Sequence, residues 1–254
     1  MSFYLVILGP PRLLFVLFIK FMNGNEIIVG SDQTWTGREG STKHDSIYNG
    51  EFYDSRNDRS NWARPGFNDS LSAWIMPDLM PSPANISRKI KGAQLTDGGV
   101  LKPVNMWSSD PGLLIFDLGQ NMAGWCRIKF HGPSGYGVYI RHGEVLILPD
   151  IAHNRSARNT YTENLRATTA SDTYLLRGDP VSEIYEPTFT VHGFRYLSIF
   201  GQPNALTKDD VECPFVHSET TLKGHFTTNN PVVNQIQHNI QWGQLSNIMS
   251  LPTD

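Results

Sequence analysis

A chain of 254 residues and 28.6 kDa has room for one to two domains at roughly 100–200 residues each. With 39% hydrophobic and 11% aromatic residues it can bury a core, which excludes wholesale disorder. A formal charge of −3 and a pI near 6.2 leave no basic footprint, so no nucleic-acid partner is expected.

The chain opens on an apolar run, Leu13 to Ile19, between Arg12 and Lys20. It is far shorter than the roughly 20 residues a membrane helix needs. Its flanks also lack the basic start and small-residue cleavage site of a signal peptide. No membrane partner is expected, and a degenerate signal or anchor is the weaker reading. The stronger reading is a β-hairpin: Phe15 to Phe21 as one strand, Asn23-Gly24 as the turn, and Glu26 to Val29 as the return strand. Because strand begins almost at once, the sequence reads as though its start lay upstream.

From Ser31 to about Trp107 the text is polar, aromatic and turn-rich. Trp62 to Ser70 reads as loop, and Pro77, Pro81 and Pro83 mark irregular backbone or sheet edges. The aromatics Trp35, Tyr48, Tyr53, Trp62 and Trp74 suit core or hairpin packing better than sugar stacking.

From about Ser108 the pattern sharpens. Leu113 to Gly119 predicts a buried strand ending at a glycine turn, and Trp125 to Phe130 alternates with period two. A turn over 132–137 leads into a strand from Val138 to His142. A polar loop over 150–159 precedes strands at Thr173 to Arg177 and Phe194 to Phe200. Short strands without long helical patterns between them predict a mainly β fold, with sandwich or jelly-roll domains.

Near the end the period changes. Asn229-Asn230-Pro231 offers an N-cap with Pro at the first helical position. Val233, Ile236 and Ile240 then define one apolar helical face, which Leu245 and Ile248 continue after a phase slip. One amphipathic helix has nothing of its own kind to pack on, so a helical domain is expected to begin here and to be cut short.

The chemical motifs are mostly exclusions. The two cysteines, Cys126 and Cys213, are too few for a disulfide framework or a thiolate zinc cluster. Their pairing is open to the sequence, with buried free thiols the preferred reading. The eight His lack zincin spacing, and there is neither a phosphate loop nor a Gly-x-Ser-x-Gly elbow. No cofactor and no metal is expected. His142 and Glu144, two apart in a strand, would share a face and could bind a metal or move a proton. Polar positions on a wet strand face, however, need no special role. The carboxylates Asp117, Glu144, Glu163, Asp172, Glu186 and Asp254 are scattered, and spacing nominates no acid–base pair among them.

Particular strings nevertheless carry a resemblance. Asp117-Leu118-Gly119-Gln120-Asn121-Met122-Ala123-Gly124-Trp125 resembles the D-x-G-Q-N-M-x-G-W signature of bacterial-type α-L-rhamnosidases, glycoside hydrolase family 78. Ile47 to Asp54, Arg141 to Leu146, Tyr161 to Arg166, Tyr185-Glu186-Pro187 with Phe189, His192 to Tyr196 and Val216-His217-Ser218 follow in the family's order. Asn239 to Gln244 and Ser250-Leu251-Pro252-Thr253-Asp254 resemble the entry into its catalytic domain.

The resemblance implies a layout of two β-sandwich domains followed by the first helix of a truncated six-hairpin (α/α) barrel. Residues 1–107 would be the N-terminal sandwich without its start, 108–216 the concanavalin-like sandwich, and 217–254 the opening of the barrel. It also implies inverting hydrolysis of terminal α-L-rhamnose from glycosides or polysaccharides. Asp254 matches the aspartate of the family's P-T-D-C-P-Q-R motif and would contact sugar hydroxyls. The general acid and base would lie beyond it, so no catalytic residue is expected within the chain and the chain alone is expected to be inactive. Gln120 and Asn121 are expected to satisfy backbone groups at a turn, and Gly124 and Gly193 to allow tight bends. Trp125, Arg195 and Trp242 are candidates for an interface with the barrel. The competing reading is a non-catalytic β-sandwich that binds carbohydrate or another protein.

Overall fold

The computed structural model describes residues 12–58, 62–68, 74–81, 95–147, 159–220, 223–249 and 251–252. The compact units do not follow chain order: Met1–Glu39 joins Ser60–Arg88, and Gly40–Arg59 joins Lys89–Asp254. The polar loop expected over 150–159 lies almost wholly outside the described residues, as does Asp254.

The first unit contains the expected hairpin. Strand β1 (Val16–Lys20) pairs antiparallel with β2 (Glu26–Gly30), with Phe18 opposite Ile28. Asn23 shapes the turn, its side-chain oxygen accepting the Asn25 N–H at 3.0 Å. Trp35 packs on Phe15 with ring centroids 5.5 Å apart.

The second unit holds, in chain order, β3 (Thr42–Ser46), β4 (Gly50–Asp54), β5 (Leu95–Leu101), β6 (Asn105–Ser108), β7 (Leu113–Gly124), β8 (Arg127–Phe130), β9 (Gly137–Gly143), β10 (Val145–Leu146), β11 (Thr160–Tyr161), β12 (Ser171–Leu175), β13 (Glu183–Tyr185), β14 (His192–Phe200), β15 (Val211–Ser218), α1 (Pro231–Asn247), β16 (Ile248–Met249) and β17 (Leu251–Pro252). Among the described residues, eleven strands form one sheet, in the order β13-β8-β15-β7-β14-β9-β12-β4-β3, with β5 on β15 and β6 on β7. The fold is mainly β, as expected. No helix among the described residues is long and apolar enough to cross a membrane.

Aromatic contacts show how this sheet makes two layers. Tyr185 on β13, at one end of the strand order, lies 4.8 Å from Tyr174 on β12 and 6.3 Å from Tyr53 on β4, near the other end. Phe130 on β8 is 5.9 Å from the same Tyr174. Rings from opposite ends meet only if the sheet curls over itself, and the space it encloses is the core. Phe116, Phe130, Val138, Ile140, Phe194, Leu197, Ile199 and Val211 fill it without solvent contact or nearly so. Each such side chain contributes about 1.5–3 kcal/mol of burial free energy.

Two expectations are corrected inside this core. The chain does not turn at Gly119, because β7 runs on to Gly124. What occurs instead is a bulge. The five steps from Asp117 to Met122 lie opposite the two steps from Tyr196 to Phe194 on β14, so residues 118–121 stand out from the ladder. Gly119 takes φ +76° within it, a conformation costly for any residue with a Cβ. The cysteines are not free thiols either: Cys126 and Cys213 form a disulfide buried in the core. Cys126 follows β7 directly, and the Trp125 N–H bonds the Pro214 carbonyl. Strand pairing thus brings the two thiols face to face across a sequence gap of 87.

Candidate functional site

Helix α1 starts as its sequence predicts. The Asn230 side chain accepts the Val232 N–H at 2.9 Å, with Pro231 at the first helical position. Its apolar residues divide between the two sides of the helix. Ile236 and Ile240 point outward and join Val232 in an exposed stripe, at 52%, 58% and 65% exposure. The helix is instead held by Trp242, whose ring lies 4.9 Å from that of Phe215 on β15. Both rings pack half-buried against the core. A polar contact adds to this: the His238 Nε2–H donates to the Gln120 side-chain oxygen at 2.9 Å.

Gln120 sits in the bulge of β7, so the Asp-x-Gly-Gln-Asn string has a structural meaning that spacing alone did not supply. Asp117 receives Arg195 through both oxygens, Nε at 2.8 Å and Nη2 at 3.0 Å. It also accepts the Gly119 N–H at 2.7 Å. Burial pushes the Asp117 carboxyl up, but these hydrogen bonds and the Arg195 charge bring it below the ordinary range. Gln120 reaches α1. Asn121 donates to Glu144 at 3.0 Å. Gln120 also bonds its neighbour's carbonyl, but neither side chain caps a turn.

The proposed interface residues occupy distinct places. Trp242 is the contact between α1 and β15. Trp125 donates its indole N–H to Glu186 at 2.9 Å, and the same carboxylate takes both arms of Arg127 at 2.9 and 3.1 Å. Arg195 is committed to Asp117. Asp254 lies outside the described residues.

His142 and Glu144 do not act together, since Glu144 turns to Asn121. His142 does not face water either. In β9 it continues the inward row of Val138 and Ile140, with Tyr139 and Arg141 on the other face. Asp172 shares the inward row of β12 with Tyr174, and His192 that of β14 with Phe194. Period-two phase could have revealed this, because His142 lies in step with the most apolar positions of its strand.

The three side chains meet on adjacent strands, each no more than 4% exposed. The two imidazoles stack with centroids 4.0 Å apart. The His192 Nε2–H donates to Asp172 Oδ1 at 3.2 Å, and the Glu51 N–H reaches the same oxygen at 2.9 Å. The His142 Nδ1–H donates to the Ala170 carbonyl at 3.1 Å. Burial, seconded by the neighbouring His192, drives the His142 pKa down to about 3, so this ring is neutral at ordinary pH. Asp172 is pushed up by burial, yet its bond from His192 and the two nearby imidazoles leave it below the usual carboxylate range.

Comparison with known proteins places this geometry. Residues 108–217 match the bacterial alpha-L-rhamnosidase concanavalin-like domain, 4–93 the alpha-L-rhamnosidase N-terminal domain, and 221–254 the bacterial alpha-L-rhamnosidase 6 hairpin glycosidase domain. The chain belongs to the bacterial-type α-L-rhamnosidase family. An α-L-rhamnosidase of Streptomyces avermitilis is 33% identical over 256 residues, covering 96% of this chain and 23% of that protein. One from an Alteromonas species is 30% identical, covering 96% and 26%. The solved α-L-rhamnosidase from Dictyoglumus thermophilum superposes with a TM-score of 0.83 at 35% identity, over 95% of this chain and 26% of that one. The Streptomyces avermitilis enzyme, solved with L-rhamnose, gives 0.83 at 32% identity, over 94% and 22%. The chain therefore spans about a quarter of the length of these rhamnosidases. In the family's terms, β7 to β14 and nearly all of β15 fall in the concanavalin-like match, β3 and β4 in the N-terminal-domain match, and α1 in the six-hairpin match.

Proposed function

We propose that this chain is the non-catalytic front of an α-L-rhamnosidase that acts on rhamnose-containing glycosides or polysaccharides. In this reading the spans 1–107, 108–216 and 217–254 are the N-terminal domain, the concanavalin-like domain and the opening of the catalytic domain, with strands β3 to β6 of the first span completing the sheet of the second. The reaction is inverting hydrolysis: one carboxylic acid protonates the leaving oxygen while a carboxylate activates water on the opposite face of the sugar. Both groups lie outside these residues, and Asp254 contributes a sugar-hydroxyl contact next to them.

The observation that carries this reading is the seating of α1. Trp242 and His238 anchor it to β15 and the β7 bulge, while Val232, Ile236 and Ile240 face outward. An apolar stripe on the far side of an anchored helix suits the packing of further helices. Trp242 is the domain-interface residue in this scheme, and Trp125 and Arg195 brace the strands beneath it. The carboxylates within the sandwich support the same division of labour. Asp117, Asp172, Glu144 and Glu186 are held by Arg195, His192, Asn121 and Arg127 respectively, an arrangement that holds strands together.

The test compares the 254-residue chain with a protein extended through the whole hairpin domain, using an aryl α-L-rhamnoside. Only the extended protein should release the aglycone, and NMR should show the inverted anomer of rhamnose first. Comparable hydrolysis by the short chain would overturn the assignment. Binding of rhamnose by the short chain at millimolar sugar, measured calorimetrically, would favour the carbohydrate-binding alternative.

A further inference from the structure

The buried cluster on β9, β12 and β14 takes no part in the glycosidase chemistry. We propose that His142, Asp172 and His192 hold a divalent transition-metal ion, zinc by its donor set, as a structural pin inside the sandwich. One ligand atom from each residue lies within 4.8 Å of the others. Two imidazoles and a carboxylate are donors that zinc accepts.

The argument starts from one mismatched pair of atoms. His142 gives its Nδ1 proton to the Ala170 carbonyl, so in the neutral ring Nε2 carries a lone pair. That nitrogen faces Asp172 Oδ2 across 3.9 Å, too far for a hydrogen bond. The two atoms thus face each other in the interior with no hydrogen bond between them. Val138 and Ile140 show that this inward row accepts apolar side chains. A cation between the two atoms can be held by both.

The surrounding bonds match what a metal site needs. A ligating imidazole usually donates its other N–H to a carbonyl, as His142 does to Ala170, and ligating carboxylates are themselves hydrogen-bonded, as Asp172 is by Glu51. Asp172 turns one oxygen toward each ring, Oδ1 to His192 and Oδ2 to His142. The ion takes the place of the His192 Nε2 proton, and the stacked rings fan apart to converge on it. The proton displaced from His192 Nε2 moves to Nδ1 of the same ring, so the ligand stays a neutral imidazole, and no redox step is involved. With all three residues sealed from solvent, the ion is captured during folding. It then ties three neighbouring strands together and, through the Glu51 N–H, β4 as well.

The intact protein, purified without chelator, is analysed by elemental mass spectrometry and native mass spectrometry. About one zinc per chain is expected. Refolding with zinc should give a higher Tm than refolding with a chelator, and refolding with cobalt should give the visible absorption of low-symmetry, nitrogen- and oxygen-ligated Co(II). His142→Gln and His192→Asn should each lower metal content at least about tenfold. If these variants fail to fold, metal content and the cobalt spectrum of the wild-type protein decide alone. Less than about a tenth of an equivalent in the wild type, with refolding indifferent to zinc, would overturn the proposal. Unchanged metal content in a folded His142→Gln/His192→Asn double variant would overturn it too, by placing the ion elsewhere.

Discussion

Arg195 meets Asp117 where the ladders of β7 and β14 fall out of register, the guanidinium fork closing on both carboxylate oxygens at 2.8 and 3.0 Å. Arg195 is the residue that falls between the paired Phe194 and Tyr196, and Asp117 is the last paired residue before the bulge. The bulge is thus clamped from both strands. It presents Gln120 to α1 and Asn121 to Glu144, joining the sandwich to the first helix of the next domain.

Removing the clamp should loosen that junction measurably. The Arg195 side chain is 38% exposed, so Arg195→Ala is expected to cost about 1–2 kcal/mol, short of the price of a fully buried pair. A double-mutant cycle with Asp117→Asn, followed by denaturant unfolding, should return a coupling of about 1 kcal/mol. Additive single effects would mean that the two side chains do not act together.

Two glycines should part company. A Cβ on Gly124 would sit 2.1 Å from the Pro214 carbonyl oxygen, a backbone atom, so Gly124→Ala must push β7 away from β15. A loss of about 3 kcal/mol or more is expected. The same change at Gly193 meets nothing within 4 Å, and Gly193 lies inside β14 without a positive φ. Gly193→Ala should leave stability within about 0.5 kcal/mol, read by thermal unfolding.

The disulfide should matter more than its single bond suggests. It closes a loop across a sequence gap of 87, and the chain-entropy model assigns about 4.6 kcal/mol to a loop of that length. Cys126→Ala/Cys213→Ala, or full reduction, should lower the unfolding midpoint accordingly. An unchanged midpoint under strong reductant would show that the bond contributes nothing to the folded state.

Acid should act through Glu183. Burial pushes its carboxyl up, but the N–H groups of Arg177 and Gly178 and the hydroxyls of Tyr174 and Ser55 outweigh burial and hold it below the ordinary value. A depressed folded-state pKa contributes stability that is fully present above the unfolded value of about 4.3 and is lost as pH falls through the folded one. Glu183→Gln should cost about 2 kcal/mol at neutral pH. It should also flatten the stability profile below about pH 4.3, as followed by denaturation at stepped pH.

Much of this protein was legible without coordinates. The hairpin at Asn23-Gly24, the strands from Leu113 to Phe200 and the cap at Asn230-Pro231 follow from local chemistry: turn residues, period-two alternation and an unsatisfied helix start. The ordered strings from Ile47 to Asp254 pointed to the family. These signals survive because each depends on residues a few positions apart.

What the sequence left open depends on which strands become neighbours. Cys126 and Cys213 read as free thiols until β7 and β15 were seen to pair. The Asp-x-Gly-Gln-Asn string read as a turn until β14 supplied Arg195 opposite it. The apolar residues of α1 fixed that it is a helix but not which side the sandwich would take, which Phe215 and Gln120 decide by meeting Trp242 and His238. His142, Asp172 and His192, scattered over 51 positions of sequence, became one cluster only when three strands lay side by side with the same face inward. Periodicity tells each strand which residues share a face; only the closed sheet decides what that face will meet.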